Sequence, residues 1–151
     1  MSSVSRDIWE EQKQISDTLS VWAVLNILSG TFLQLFHDHF WRGFGIQSSS
    51  WGFINGLIAA IGKRITDKRR MAMIDPETAD VHNHERENLL RILLINSGLD
   101  VVYMLIGAVL IKTKGKGNRW WSGQGSGIIF QGLFLFVFDL VHAVKIGSTK
   151  D

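Results

Sequence analysis

The sequence of 151 residues contains no cysteine and a single proline, Pro76. The absence of cysteine excludes disulfides, thiolate metal sites, thioether-linked haem and cysteine nucleophiles. Catalytic signatures are missing as well, because no glycine-rich phosphate loop, nucleophile elbow or zinc-protease helix occurs along the chain. We therefore expect a protein that is not an enzyme and that holds no cofactor and no metal ion.

Charge is nearly absent from four long windows of the chain, 18–37, 43–62, 92–111 and 120–144. Of the 16 basic and 14 acidic residues, only Asp100 and Asp139 lie inside these windows. Each window has at least the roughly 20 residues that a helix needs to cross a hydrocarbon layer about 30 Å thick. The distribution of charge, which the average composition hides, thus predicts membrane-spanning helices.

The predicted fold is all-α, an integral membrane bundle of four antiparallel helices that forms one domain over 18–145. A soluble bundle is the alternative, but its helices need a polar face, whereas the segment IIFQGLFLFV at 128–137 is apolar all round. We predict a short tail at 146–151, an amphipathic or disordered segment at 1–17, and spans at about 18–40, 45–65, 89–111 and 121–144. Weak similarity between the two halves also allows a duplicated helical hairpin.

Basic residues and tryptophans predict the orientation of the bundle. With the N-terminus inside, 11 basic residues fall in the inner segments and the remaining 5 in the outer ones, as the positive-inside rule requires. Trp41 is expected to end the first span and Trp51 to open the second, while Trp120 and Trp121 open the fourth. All four then lie at the outer interface, as an aromatic belt would place them. Both chain ends are predicted to be cytoplasmic.

Polar residues at membrane depth are the candidate functional residues. In the third span, Asn96, Asp100 and Tyr103 follow one another at steps of four and three, so they share a helical face. A carboxylate near the bilayer centre costs at least about 2.5–3.5 kcal/mol, so Asp100 needs a partner, a proton or a wet cavity. The complete set of polar candidates is Asn26, Asn55, Asn96, Asp100, Tyr103, Gln131, Asp139 and His142.

Two interpretations of this set stay open. In the first, the polar groups join helices by hydrogen bonds, while a ridge of small residues, Gly52, Gly56 and Ala60, lets the second span approach its neighbour closely. In the second, Asp100 forms a proton or cation relay with Tyr103, Gln131, Asp139 and His142.

Three segments, WAVLNILSG at 22–30, NSGLDVVYMLIG at 96–107 and GSGIIFQGLFLFVFDLVH at 125–142, carry a resemblance to a known family. The chain resembles a family of small bacterial four-span membrane proteins with a domain-of-unknown-function label. The resemblance runs from about Trp22 to His142. It implies four helices and a place in the bacterial inner membrane, and it implies no known reaction.

We therefore expect a structural or accessory subunit of a membrane assembly, in contact with the lipid bilayer and either homo-oligomeric or bound to other membrane-protein subunits. The alternative is a small oligomeric transporter or channel that couples protons through Asp100. A weaker alternative is a pigment or haem protein with His142 as axial ligand. Nucleic-acid binding is not expected, because the basic residues follow the orientation rule.

Overall fold

A computed structural model describes residues 7–148 and places almost all of them in four helices. They are α1 (Ile8–Leu33), α2 (His39–Ala72), α3 (Ala79–Leu110) and α4 (Arg119–Gly147). A π-helical turn, Ile111–Gly115, continues α3. Residues 7–148 contain no strand. The predicted all-α fold with four helices is confirmed.

Three helices begin where a short polar side chain accepts a hydrogen bond from the first turn. Asp7 accepts from the backbone N–H of Trp9 at 2.9 Å, and Asp38 accepts from that of Phe40 at 2.8 Å. Asn118 caps α4 in the same way. Such caps satisfy N–H groups that have no partner within the helix, so each fixes a helix start.

The first hairpin turns earlier than the sequence predicted. Because Asp38 caps α2, the turn lies at 34–38 and not near 41–44. Trp41 therefore lies in the first turn of α2 instead of ending the first helix, and Trp51 lies more than two turns further along α2. Trp120 and Trp121 do open α4.

The described chain before residue 18 belongs to the first helix. Residues 8–17 are the first turns of α1, without a break from the predicted span. Ile8 and Trp9 are buried, and the Trp9 indole donates a hydrogen bond to the Pro76 carbonyl at 3.1 Å. The rest of the predicted N-terminal segment, 1–6, and the end of the predicted tail, 149–151, lie outside the described residues.

Consecutive helices run antiparallel, and the packing is uneven. Helix α1 packs along α2, α3 packs along α4, and α2 packs on α4, whereas α1 and α3 meet over a short length. Helices α2 and α3 do not pack closely against each other along their described residues. Two small apolar clusters, centred on Leu135 with Phe138 and on Leu93 with Ile146, lie between the packed helices.

Glycines set the close approach of the packed helices. A Cβ atom on Gly30 of α1 would lie 2.6 Å from the carbonyl oxygen of Gly45 on α2, and one on Gly107 of α3 would lie 2.7 Å from that of Gly125 on α4. Both distances are shorter than van der Waals contact, so a larger side chain at these crossings would push the backbones apart. Gly125 lies in the second turn of α4.

Large apolar side chains lie mainly on the outside of the bundle, and several polar side chains lie inside it. Among the described residues, 32 large apolar side chains are exposed, while only 10 apolar side chains are buried. Eleven polar or charged residues are buried, including Asn26, Asn55, Asp100, Gln131 and Asp139. This distribution is the reverse of that in a soluble protein, where buried polar residues are the exception.

Two of the four helices are long and apolar enough to cross a membrane. They are α3 with its π-helical turn, at a mean hydropathy of 2.0, and α4, at 1.9. Only 22% and 33% of their most apolar windows are buried within the bundle, which is far less than in the core helix of a soluble protein. Helices α1 and α2 carry more polar residues along their length.

Candidate functional site: a chamber between α2 and α3

The predicted polar residues do not form one network. Asn26 and Gln131 meet between α1 and α4, and the hydrogen bond described for His142 is to Phe138 of its own helix. The other five surround a chamber between α2 and α3: Asn55, Asn96, Asp100, Tyr103 and Asp139.

The contact between α1 and α4 is a chain of side-chain hydrogen bonds. Gln131 donates from Nε2 to Oδ1 of Asn26 at 2.5 Å, and its own Oε1 accepts from the Trp22 indole at 3.3 Å. Asn26 donates in turn to the backbone carbonyl of Trp22 at 2.8 Å. The arrangement is what helix-joining polar residues require, and it removes Gln131 from the predicted relay around Asp100.

The chamber has a volume of about 540 Å³ and lies where α2 and α3 are apart. Side chains close it at two ends. At one end the rings of Trp51 and Tyr103 meet edge to face with centroids 5.0 Å apart, and at the other Arg69 forms an ion pair with Glu85 at 3.0 Å. Trp51 and Arg69 are 18 residues apart on α2, as are Glu85 and Tyr103 on α3. The chamber is thus about 27 Å long at 1.5 Å per residue.

Buried polar groups face the middle of this chamber. Asp100 is 4% exposed and Asn55 is 2% exposed, and both line the chamber. Within the described part of the chain, neither Oδ2 of Asp100 nor Nδ2 of Asn55 has a hydrogen-bond partner. Asp139, 7% exposed, is a second carboxyl group on the chamber wall. Buried polar groups without partners are costly, and they mark this part of the bundle as the candidate functional site.

Two further predicted residues have less burial. Tyr103 is half-buried and stacks its ring edge against Trp51, while Asn96 is exposed on the rim of the chamber. The steps of four and three predicted one face of α3 for these two residues and Asp100. All three do line the same wall of the chamber.

The prediction missed the polar end of the chamber. There Thr66 donates to Gln12 at 2.8 Å, and Gln12 donates to Glu85 at 3.1 Å. Arg69 also contacts Gln12 and Glu85, and Glu85 itself is 2% exposed. The spacing along α3 could have revealed this end of the chamber. Steps of three and four from Asn96 and Asp100 back towards the start of the helix reach Ile92, Asn88 and Glu85, which also line the chamber.

His142 is not part of the chamber lining. Its Nδ1 lies 2.8 Å from the carbonyl oxygen of Phe138, and its ring packs on the Phe138 ring. Its neighbour Asp139 does not hydrogen-bond to it among the described residues. The weaker pigment or haem interpretation therefore gains no support from this residue.

The predicted ridge of small residues is only partly a packing surface. Gly52 faces α1, where a Cβ atom would lie 2.7 Å from the Ala23 carbonyl oxygen, whereas one on Gly56 would lie at an ordinary 3.5 Å from the Ala23 methyl group. Ala60 is exposed, and the preceding Ala59 is buried in its place. The packed face turns away from Ala60 because 3.6 residues per turn do not keep steps of four in line.

A cluster of ionisable groups also lies where the start of α1 meets the linker between α2 and α3, residues 73–78, and the first turns of α3. Asp7, Glu77 and His82 bring one ligand atom each to within 4.8 Å of one another. Arg70 already contacts Glu77 at 2.8 Å and Asp7 at 3.9 Å. The cluster is accounted for by ion pairing that ties the linker to α1 and α2.

Comparison with known proteins identifies the family of the chain but does not indicate an activity. No curated protein has a significant match to the chain, and no solved structure has one either. A family model described as a family of unknown function, DUF6992, matches residues 18–140. The match covers most of the four-helix bundle and both walls of the chamber, and it agrees with the resemblance seen in the sequence. The chain belongs to the DUF6992 family.

Proposed function

We propose that the protein is a four-span integral membrane protein and acts as a non-enzymatic accessory subunit of an assembly in the bacterial inner membrane. The observation that carries the membrane part is the inverted distribution of residues, with apolar side chains outside and polar ones inside. Lipid tails favour an apolar surface, and the polar interior then holds the helices together.

Helices α1 and α2 are long enough to span a membrane, although they are less apolar than α3 and α4. They contain 26 and 34 residues, more than the roughly 20 that a span needs. In the middle of these helices, Asn26, Ser48 and Asn55 are buried, while Leu28 and Phe53 are more than 60% exposed. Buried polar side chains, together with charged residues near the helix ends, lower the mean hydropathy of these helices.

Ion pairs support the same arrangement, because they lie at the two ends of the bundle. Arg119 pairs with Asp38 at 2.6 Å beside the two hairpin turns, and Lys145 pairs with Glu11 at 2.8 Å at the opposite end. The excess of basic residues at the Lys145 end supports cytoplasmic termini.

The accessory role is supported by how the interior polar groups are used. Besides Asn26 with Gln131, Gln47 of α2 donates to Gln124 of α4, and Gln34 donates to Ser49 at 3.1 Å. These bonds join helices and give a rigid bundle whose apolar faces are available to other copies or other membrane subunits.

Purification tests this proposal. The tagged full-length chain is isolated from its native membranes in a mild detergent, and co-purifying proteins are quantified against a mock purification. The accessory role predicts a fixed partner, or copies of the chain itself, at constant stoichiometry. Recovery of the free monomer alone would contradict it.

A second candidate is a small oligomeric proton-coupled transporter, and the chamber favours it. Two carboxyl groups, Asp100 and Asp139, line a chamber that reaches the Arg69–Glu85 end of the bundle. This candidate predicts that Asp100→Asn abolishes pH-dependent flux in proteoliposomes, whereas Asp17→Asn, outside the chamber, leaves flux unchanged. Equal flux in the two variants would exclude it.

A further inference from the structure

The charged groups in the middle of the chamber are acidic. Asp100 and Asp139 are the charged groups there, and the one basic residue on the described lining is Arg69. Arg69 is 14 residues from Asn55 along α2, or about 21 Å, and it already pairs with Glu85. On the described lining, no basic side chain other than the already paired Arg69 is present to neutralise the two buried carboxyl groups.

Aromatic rings lie beside these carboxyl groups. Trp51 and Tyr103 close the nearer end of the chamber, with Asn55 one turn from Trp51 and Asp100 one turn from Tyr103. The ring of Phe138 is on the same wall as Asp139. An aromatic face attracts an organic cation, and the attraction is larger where water is excluded.

Aliphatic side chains of α2 and α3 on the lining are open to the surroundings. Ile54 and Ile58 of α2 and Ile92 and Leu99 of α3 line the chamber and are between 44% and 54% exposed. A ligand with an apolar body can therefore enter sideways between α2 and α3. A volume of about 540 Å³ falls in the range of about 300–1,000 Å³ of small-molecule sites.

We propose that the chamber binds a lipophilic organic cation, with its charge between Asp100, Asp139 and the Trp51–Tyr103 pair and its apolar body between the aliphatic walls. The cation supplies the opposite charge that a carboxylate at membrane depth needs, and both carboxyl-bearing residues line the chamber. An anion of the same shape meets two carboxyl groups and is rejected. The inference rests on the membrane-embedded bundle and is independent of the accessory role.

Two ions of matched size and opposite charge test the proposal. Binding of tetraphenylphosphonium and of tetraphenylborate is measured by equilibrium binding to the full chain in nanodiscs, with empty nanodiscs as background. We expect saturable binding of the cation and no binding of the anion above background. Cation binding should weaken at least about tenfold in Asp100→Asn and in Asp139→Asn, and it should be unchanged in Asp17→Asn, an exposed residue outside the chamber.

The outcomes separate this inference from the proposed function. Three results would overturn the inference: equal binding of both ions, cation binding no greater than in empty nanodiscs, or unchanged binding in both chamber variants. None of them would contradict the membrane-embedded bundle. Circular dichroism and gel filtration show whether each variant is folded. If one of the two chamber variants does not fold, the other still tests the inference. Failure to recover the wild-type chain in nanodiscs at all would instead contradict the membrane-embedded bundle.

Discussion

Gln131 of α4 donates a hydrogen bond to Asn26 of α1 at 2.5 Å, and Gln131 has no exposed surface. We predict that Gln131→Leu and Asn26→Leu each lower the free energy of unfolding by about 1–2 kcal/mol, because each leaves one buried amide without its partner. The double variant should lose less than the sum, with a coupling of about 0.6–1.7 kcal/mol. A double-mutant cycle of unfolding in mixed micelles measures this, and strictly additive effects would show that the two side chains are not coupled.

Gly52 and Gly56 are one helical turn apart on α2 and differ in the space beside them. Gly52→Ala should loosen the α1–α2 contact and lower the thermal midpoint, since its methyl group would lie 2.7 Å from the Ala23 carbonyl oxygen. Gly56→Ala is the matched control and should be neutral or stabilising, because its methyl group has an ordinary contact of 3.5 Å and alanine favours helix by up to about 1 kcal/mol. A similar loss in both variants would argue against this helix crossing.

Glu85 holds the polar end of the chamber together. Glu85→Ala leaves Arg69 and Gln12 without their shared partner, so we expect a loss of about 1–3 kcal/mol of unfolding free energy. Asp17→Ala removes an exposed pair with Lys63 at 3.4 Å and should cost less than about 1 kcal/mol. Chemical unfolding of both variants in micelles gives the comparison, and a loss for Asp17→Ala as large as for Glu85→Ala would be inconsistent with the described burial.

The pKa of Glu77, in the linker between α2 and α3, should lie below the usual range for glutamate. Arg70 donates a hydrogen bond to it at 2.8 Å and holds the pKa of the Glu77 carboxyl group below the ordinary value. A lowered pKa in the folded state means that the pair stabilises the fold above the ordinary pKa of glutamate and loses that effect as pH falls through the lowered pKa.

Carbon-detected NMR titration of Glu77 in micelles measures this pKa. Arg70→Gln should move it upward, towards the ordinary value, with only a small change in stability because the pair is exposed to solvent. An unchanged pKa in the variant would show that the contact with Arg70 does not form in solution.

Much of the helical architecture was predictable, and the reason is physical. Windows without charge define where helices can lie in lipid, and steps of three and four placed Asn96, Asp100 and Tyr103 on one wall. What failed was local, because the Asp38 cap places the first turn earlier than the charge-free windows indicate. The role of glycines such as Gly123 and Gly125 of α4 in close helix packing was not predicted either.

The partners of the polar residues were less predictable. We predicted Gln131 to lie near Asp100 because the two residues are at a similar depth in the bilayer. In the structure Gln131 faces Asn26 instead. The rotation of α4 about its axis depends on its packing against α1 and α2, and the sequence of α4 does not show that rotation. Likewise the gap between α2 and α3 results from which helix pairs pack closely, and no periodicity within one helix reveals that choice.

The central claim is that all four helices, including the polar α1 and α2, are embedded in lipid. The absence of native cysteine allows a single spin label at Leu28→Cys on α1 or Leu57→Cys on α2, both exposed positions, with Asp75→Cys in the linker as control. In liposomes, power-saturation electron paramagnetic resonance should show high collision rates with oxygen and low rates with a water-soluble nickel chelate at both helix positions, and the reverse at residue 75. Ready access of the nickel chelate to both helix labels would contradict the four-span bundle.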